Sequence, residues 1–191
     1  MSDTSLLTFR PLTSSLFADF ERLFGPRGAC AGCWCTFWKL RGKAYEENTG
    51  EPARQMQKSI VDSGVVPGLL AYSNGEPVGW IAVEPRSAYP KLAHSRILKP
   101  VDDEDVWSVT CFFVASQARR QGLTVDLLKA AVEYVKEQGG KIVEGYPVDA
   151  KKDMPPAFIY HGVAAAFQKA GFVEVARRSE TRPIMRFFIG D

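Results

Sequence analysis

Apolar residues recur along the chain in two rhythms, one helical and one extended. A short apolar run at 6–12 predicts an opening strand. After Ser14 and Ser15, which suit a helix cap, Leu16, Phe17, Phe20, Leu23 and Phe24 fall at helical spacing until Gly25-Pro26 stops them. The period then lapses. Residues 27–52, rich in cysteine, tryptophan, glycine and charge, predict a long loop with one helical turn, and loops of that length tend to be functional. A short helix over 53–62 follows, with Met56 and Ile60 inward. Two apolar runs at 69–73 and 77–83 flank Asn74-Gly75, a pair that tolerates the positive φ angles of a type I′ turn, so they predict a hairpin.

Residues 106–114 are almost continuously apolar or β-branched, the pattern of a central strand covered on both faces. From Leu123, positions Leu127, Leu128, Ala131, Tyr134 and Val135 mark one face of a helix. Asp126, Lys129, Glu133, Lys136 and Glu137 mark the other, until Gly139-Gly140 ends it. A strand over 141–148 and a helix over 158–170 come next, the latter aligning Tyr160, Val163, Ala164 and Phe167 and stopped by Gly171. Two strands, 172–176 and 184–189, close the chain. The strand, helix, strand passage in the middle implies a parallel pair with a right-handed crossover. The expectation is a mixed α/β (α+β) fold: a mostly antiparallel twisted sheet of about seven strands with one central parallel pair, flanked by about four helices.

Composition narrows the function classes. The 191 residues, 46% apolar with the apolar content evenly spread, suit one domain over 1–191. The 24 basic and 22 acidic residues nearly cancel to a net charge of +2, which argues against a nucleic-acid partner. No apolar run approaches the roughly 18 to 20 residues of a membrane span, and the start, with Asp3 and only Leu6-Leu7 apolar, does not read as a signal peptide, so a cytoplasmic protein is expected. Four cysteines are too few for a disulfide scaffold, and reduced thiols are the default. The acidic run Asp102-Asp103-Glu104-Asp105 reads as a solvated loop tip.

The chemistry concentrates between the central strand and its helix, at Gln117-Ala118-Arg119-Arg120-Gln121-Gly122-Leu123-Thr124. A strand that runs through such a loop straight into a helix aims several unpaired backbone N–H groups at one point, and the helix dipole adds positive charge there. Gly122 permits unusual φ and close approach, Arg119 and Arg120 bring charge, and Thr124 brings a hydroxyl, which together make a phosphate cradle. The spacing is neither that of a Walker loop nor that of a dinucleotide fingerprint.

These residues resemble the Gcn5-related N-acetyltransferase (GNAT) superfamily. The likeness runs through Val114, then Arg119-x-x-Gly122-x-Thr124 and Leu127-Leu128, which is similar to the family's cofactor motif. It continues through Phe167-Gln168-Lys169-Ala170-Gly171-Phe172, similar to the family's helix-to-strand signature, and through the hairpin segment Gly75-Glu76-Pro77-Val78-Gly79-Trp80. The resemblance implies an acyltransferase using acetyl-CoA as co-substrate. The amides of Arg120, Gln121, Gly122, Leu123 and Thr124 would bind its pyrophosphate, with Arg119 beside them. The strand around Phe112, Phe113 and Val114 would splay from that of 142–146 to admit the pantetheine arm, and an amide near Phe113 or Val114 would hydrogen-bond the thioester carbonyl. The acceptor would be a primary amine of a small molecule or peptide.

One departure stands out. Many family members carry a tyrosine as general acid four residues before the glycine of the Gly-Phe pair, and this chain has Phe167, which cannot donate. Tyr160 and His161, earlier on the same predicted helix, are the substitutes, a packed Tyr160 being the bland alternative. Glu84 and Glu144 are the carboxylates nearest the predicted cleft; each either serves as a base through a water or faces solvent. Trp34, Trp38, Tyr146 and Asp149 are expected to border the acceptor, with Lys151, Lys152 and Pro155-Pro156 beyond. Cys111 reads better as a small buried hydrophobe than as a nucleophile.

Cys30-x-x-Cys33-x-Cys35 invites a zinc or redox reading, but a closed site needs four ligands and only Cys111, His94 and His161 remain, none at a characteristic spacing, so no metal is assigned. In the resembled family the loop carrying these residues shapes the acceptor pocket. A domain that binds acyl-CoA without turnover is the second reading, motivated by Phe167. The closing strands offer an edge for a homodimer.

Overall fold

The computed structural model describes residues 7–149 and 160–190. Seven strands form one sheet in the order β1-β2-β3-β4-β5-β7-β6. They are β1 (Leu7–Pro11), β2 (Gly68–Ser73), β3 (Glu76–Pro85), β4 (Trp107–Val114), β5 (Ile142–Gly145), β6 (Val173–Arg177) and β7 (Pro183–Phe188). Every neighbouring pair is antiparallel except β4 and β5, which run parallel with Trp107 opposite Val143 and Val109 opposite Gly145. The β2–β3 hairpin turns on Asn74 (φ 50°) and Gly75 (φ 82°), as the Asn-Gly pair predicts.

Six α-helices appear among the described residues: α1 (Phe17–Phe24), α2 (Lys43–Glu46), α3 (Glu51–Asp62), α4 (Pro90–Ala93), α5 (Leu123–Glu137) and α6 (Ala164–Lys169). Two of them, α2 and α4, are single turns inside the long connections. None is long and apolar enough to cross a membrane.

Strand alternation sorts the core into two layers. On one face Leu69 and Ala71 of β2, Ile81 and Val83 of β3 and Val109 of β4 pack against Leu123, Leu127, Leu128 and Ala131 of α5 and Phe167 of α6. On the other, Leu70, Tyr72, Trp80 and Ala82 meet Phe17, Phe20 and Phe24 of α1, together with Trp34 and Cys35. Trp80, fully buried, sets its ring edge on Phe20 (4.8 Å between centroids) and gives its indole N–H to the Cys35 sulfur at 3.0 Å. The loop after α1 is thereby fixed to the sheet from beneath.

Some predicted elements shift. In α3 the buried positions are Ala53, Gln57 and Val61, with Met56 and Ile60 only half covered, because the helix presents its small residues to α1 and the sheet. The acidic run at 102–105 is exposed, and Asp102 in addition takes both Nη atoms of Arg186 at 2.6 and 2.9 Å. The largest change concerns the last helix. It begins only at Ala164, after a turn at 160–161, Gly162 at φ 77° and Val163 in the β region, bridged to Val148. Leu6, Phe158 and residue 159 lie outside the described residues.

Candidate active site

The connection from β4 to α5 is built from tight turns. Ala115 N–H closes onto Val78, Ala118 N–H onto Ala115 and Arg119 N–H onto Ser116. Arg120 (φ 63°) and Gly122 (φ 84°) then take left-handed conformations, which turns successive amides toward one side. The N–H groups of Arg120, Gln121, Gly122, Leu123 and Thr124 have no partner among the described residues. The last two open the fifteen-residue α5, where no carbonyl lies four residues behind to accept them. A Cβ added at Gly122 would meet nothing within 4 Å, so the space above the amides is open. Arg119 anchors the near wall by donating Nε to the Val114 carbonyl at 3.0 Å. The segment thus presents five amide donors without a partner among the described residues at the N-terminus of α5, with two arginines beside them.

Beyond Val109 and Gly145 the parallel strands part, as the resemblance implies. The opening is filled from within the chain. Phe112 N–H donates to the Tyr160 carbonyl at 2.6 Å, Val148 N–H to Gly162 and Ala164 N–H to Val148. The Tyr160 carbonyl thereby takes up one donor on the exposed edge of β4, while Gly162 and Ala164 pair with Val148. Backbone groups alternate sides along a strand, so Phe112 and Val114 face the opening whereas Phe113 faces β3, where it pairs with Trp80. Of the two amides expected near the thioester, that of Val114 is on the side of the opening and that of Phe113 is on the side of β3.

His161 sits in this opening, buried, its ring edge on Trp38 (5.5 Å) and its face against Tyr160 (3.7 Å). Nδ1 lies 3.2 Å from the Thr110 carbonyl. A carbonyl only accepts, so Nδ1 carries the proton and Nε2 is the bare nitrogen. Burial, then the nearby Arg182 charge, push its pKa down from 6.5 to about 3, so the ring is neutral at physiological pH and has no proton to give beyond the one held by Thr110. Tyr160 is the opposite case: burial first, then Cys111, raise its pKa, keeping the hydroxyl protonated. Phe167 is sealed in the core, edge-on to Phe112 and Phe172 and directly over Gly145, where an added Cβ would come within 2.1 Å of the ring.

Against Phe112 and Tyr160 lies a cavity of about 210 Å³. Phe24, Phe37, Trp38, Tyr45 and Phe113 wall it together with all four cysteines. Among the described residues no carboxylate lines it. Burial, then Cys35, push the Cys33 thiol up to about 12, and contact with Cys35, then burial, raises Cys111 well above its usual range, so these walls are uncharged. Among the described residues no three His, Cys, Asp or Glu side chains meet in a group that could hold a metal. Lys91 covers the outer side of the aromatic loop, its Nζ 3.2 Å from the Phe37 ring centre. A larger depression of about 890 Å³, bounded by Arg86, Asp103 and Trp107, opens at the far end of β4 and shares no lining residue with this cavity.

Several predicted site residues lie elsewhere. Glu84 is buried in an ion pair with Lys39, and Glu144 is saturated, taking Arg86 at 2.9 Å, the Tyr146 hydroxyl at 2.7 Å and Arg186 at 2.7 Å. Each is thus engaged by a cation, and neither lines the cavity beside Phe112. Tyr146 belongs to the same network, its hydroxyl shared with Ser108, and does not line the cavity. Asp149 is paired with Arg177. Trp34 is core, stacked on Phe24 at 5.8 Å, while Trp38 does reach the cavity. Lys151, Lys152 and Pro155-Pro156 lie outside the described residues. Sequence reasoning missed that Lys39 and Arg86 neutralise Glu84 and Glu144, because no motif links such distant positions.

The sequence model of the Acetyltransferase (GNAT) family matches residues 34–150, more than half of the chain. The protein belongs to the GNAT family. No curated protein sequence matches it. Among solved structures, a GNAT-family acetyltransferase from Streptococcus agalactiae superposes with TM-score 0.58 at 13% identity, over 97% of this chain and 96% of its own. The aminoglycoside acetyltransferase AAC(6')-Ib, solved with paromomycin and acetyl-CoA, gives 0.57 at 16% identity over 95% and 93%. The ribosomal-protein-S5-alanine acetyltransferase of Vibrio fischeri gives 0.55 at 12% over 99% and 98%. At these identities the likeness is one of fold. It extends over nearly the whole of this GNAT protein.

Proposed function

We propose that this protein transfers an acetyl group from acetyl-CoA to a primary amine of a small molecule or peptide. The observation that carries the reading is the run of five unpartnered amides, Arg120 to Thr124, at the mouth of α5. They fit a pyrophosphate in number, direction and charge, with the helix dipole and Arg119 and Arg120 adding to the attraction. AAC(6')-Ib, of similar fold, was solved with acetyl-CoA.

Acetyl-CoA supplies an activated thioester. Phe112 N–H, aimed into the opening between β4 and β5, is the donor for its carbonyl, in the position where it now holds the Tyr160 carbonyl. The cavity beside Phe112 holds the acceptor close to that carbonyl. As the new C–N bond forms the C–S bond breaks; Tyr160 gives its hydroxyl proton to the departing sulfur, and the proton that the amine loses returns to the Tyr160 oxygen, so that both are neutral at the end. With Glu84 and Glu144 locked in ion pairs, the amine has to arrive neutral, and apolar walls favour that form.

Calorimetric titration with acetyl-CoA tests the cradle without knowledge of the acceptor. Micromolar binding by the wild type, weakened at least about tenfold in Arg119→Glu and Gly122→Asp, is the expected result; absence of wild-type binding overturns the reading. Tyr160→Phe is expected to slow transfer while acetyl-CoA still binds. Phe167 motivates a second reading, acyl-CoA binding without turnover, and tight binding with no transfer to any of a broad panel of amines would favour it.

A further inference from the structure

The cavity beside Phe112 and Tyr160 is restricted in what it can hold by its volume, its walls and one charge outside it. An apolar cavity of about 150 Å³ takes up benzene, so a volume of about 210 Å³ has room for one six-membered ring and about 60 Å³ more. That remainder is the share of about two water molecules at about 30 Å³ each, enough for a short carbon arm and well under the roughly 300 Å³ at which sites for drug-sized ligands begin. The walls suit a ring. Phe24, Phe37 and Phe113 offer aromatic faces and edges, which favour another ring through edge-to-face and offset contacts, and the reduced cysteines between them pack as small hydrophobes.

The charge outside is Lys91, which does not line the cavity. Its Nζ lies over the rings that do, 3.2 Å from the Phe37 centre, 5.3 Å from Tyr45 and 6.0 Å from Trp38. It fills the place where these rings would attract a ligand cation, and it repels a second positive charge inside. Among the described residues no carboxylate lines the cavity to offset that repulsion. A diamine or polyamine therefore finds no charge partner here.

We propose that the acceptor is an arylalkylamine: one amine, joined to one aromatic ring by an arm of about two carbons, with no second charge. The ring fills the cavity, and the arm leads the nitrogen to the wall formed by Phe112 and Tyr160, where the thioester carbonyl is held. This rests on the acetyltransferase reading for the reaction. The fit of the ring is testable without turnover.

The test compares binding of four amides by calorimetric titration. N-acetylphenethylamine is expected to bind the wild type about 10- to 100-fold more tightly than N-ethylacetamide, which lacks the ring, the range for burying one aromatic side chain. N-acetylcadaverine, which carries an ammonium instead, gains nothing over N-ethylacetamide, and N-acetyl-2-(1-naphthyl)ethylamine, too large for the cavity, binds more weakly than the phenyl compound. Cys30 is exposed at the edge of the cavity, so Cys30→Trp plugs it and brings the ring preference to within about threefold while thermal unfolding stays cooperative. Phe37→Ala removes one wall and reverses the order of phenyl and naphthyl. Equal binding of ringed and ringless amides by the wild type, tighter binding of N-acetylcadaverine than of N-acetylphenethylamine, or a phenyl-over-naphthyl order unchanged in both variants would overturn the proposal. No amide needs coenzyme A, so a protein that prefers the ring but does not bind acetyl-CoA loses the transfer reading and keeps the ligand class. One that acetylates cadaverine as fast as phenethylamine keeps the reading and loses the class.

Discussion

At the residue scale the site is governed by which groups are already engaged. His161 shows this most plainly, since its one proton is committed to the Thr110 carbonyl and its environment refuses a second. In the unfolded chain an imidazole titrates near 6.5, so between that value and about 3 the unfolded state binds a proton that the folded state does not. Stability is therefore complete above pH 6.5 and falls as the pH drops through the window, by about 1.4 kcal/mol per pH unit from this group. His161→Gln is expected to flatten the dependence between pH 6 and 4.5 by roughly that slope, measured by urea unfolding at several pH values. An unchanged slope would mean that the folded ring takes up the proton. Little of this was legible in the sequence. Glu84 and Glu144 were visible as carboxylates on strands near a cleft, but the cations that neutralise them are 45, 58 and 42 residues away in the chain, at Lys39, Arg86 and Arg186. Pairings over such distances leave no periodic trace.

At the element scale legibility follows periodicity. The β2–β3 hairpin, β4 and α5 are long, patterned and closed by Asn-Gly or Gly-Gly, and the structure places them within a residue or two of expectation. The helix predicted from 158 fails for a local reason. Tyr160, Val163, Ala164 and Phe167 have helical spacing, yet a glycine at positive φ and a β-branched valine sit where Val148 and the open edge of β4 compete for the backbone, and the edge wins. The loop at 27–50 had no period to read, and what orders it is tertiary: Trp80 bonds Cys35, and Lys39 pairs with Glu84 of β3. Removing one member of that buried pair should be severe. Lys39→Met is expected to cost about 3–5 kcal/mol, and the double change Lys39→Met with Glu84→Leu to recover most of it, because the penalty is the charge left alone. Denaturant unfolding of the three variants checks this; equal losses in the single and double variants would show that Lys39 acts through packing.

At the scale of the whole molecule, the two ends of the proposed reaction lie on different layers, with the free amides on the α5 face and the aromatic cavity on the α1 face. The parted strands β4 and β5 are the passage between them. That passage is occupied by the peptide at Tyr160, whose carbonyl holds the Phe112 N–H. An incoming thioester carbonyl has to displace it, so the form competent to bind is a fraction of the population, and the apparent dissociation constant is the intrinsic one divided by that fraction. If one molecule in about a hundred is open, affinity is about a hundredfold weaker than the contacts alone would give. In rapid mixing, the observed association rate should then level off with rising acetyl-CoA at the rate of opening; a strictly linear rise would mean the peptide yields without delay. Affinity for coenzyme A thus becomes a property that substitutions at Val148 or Gly162 can tune in either direction, though those side chains need never touch it.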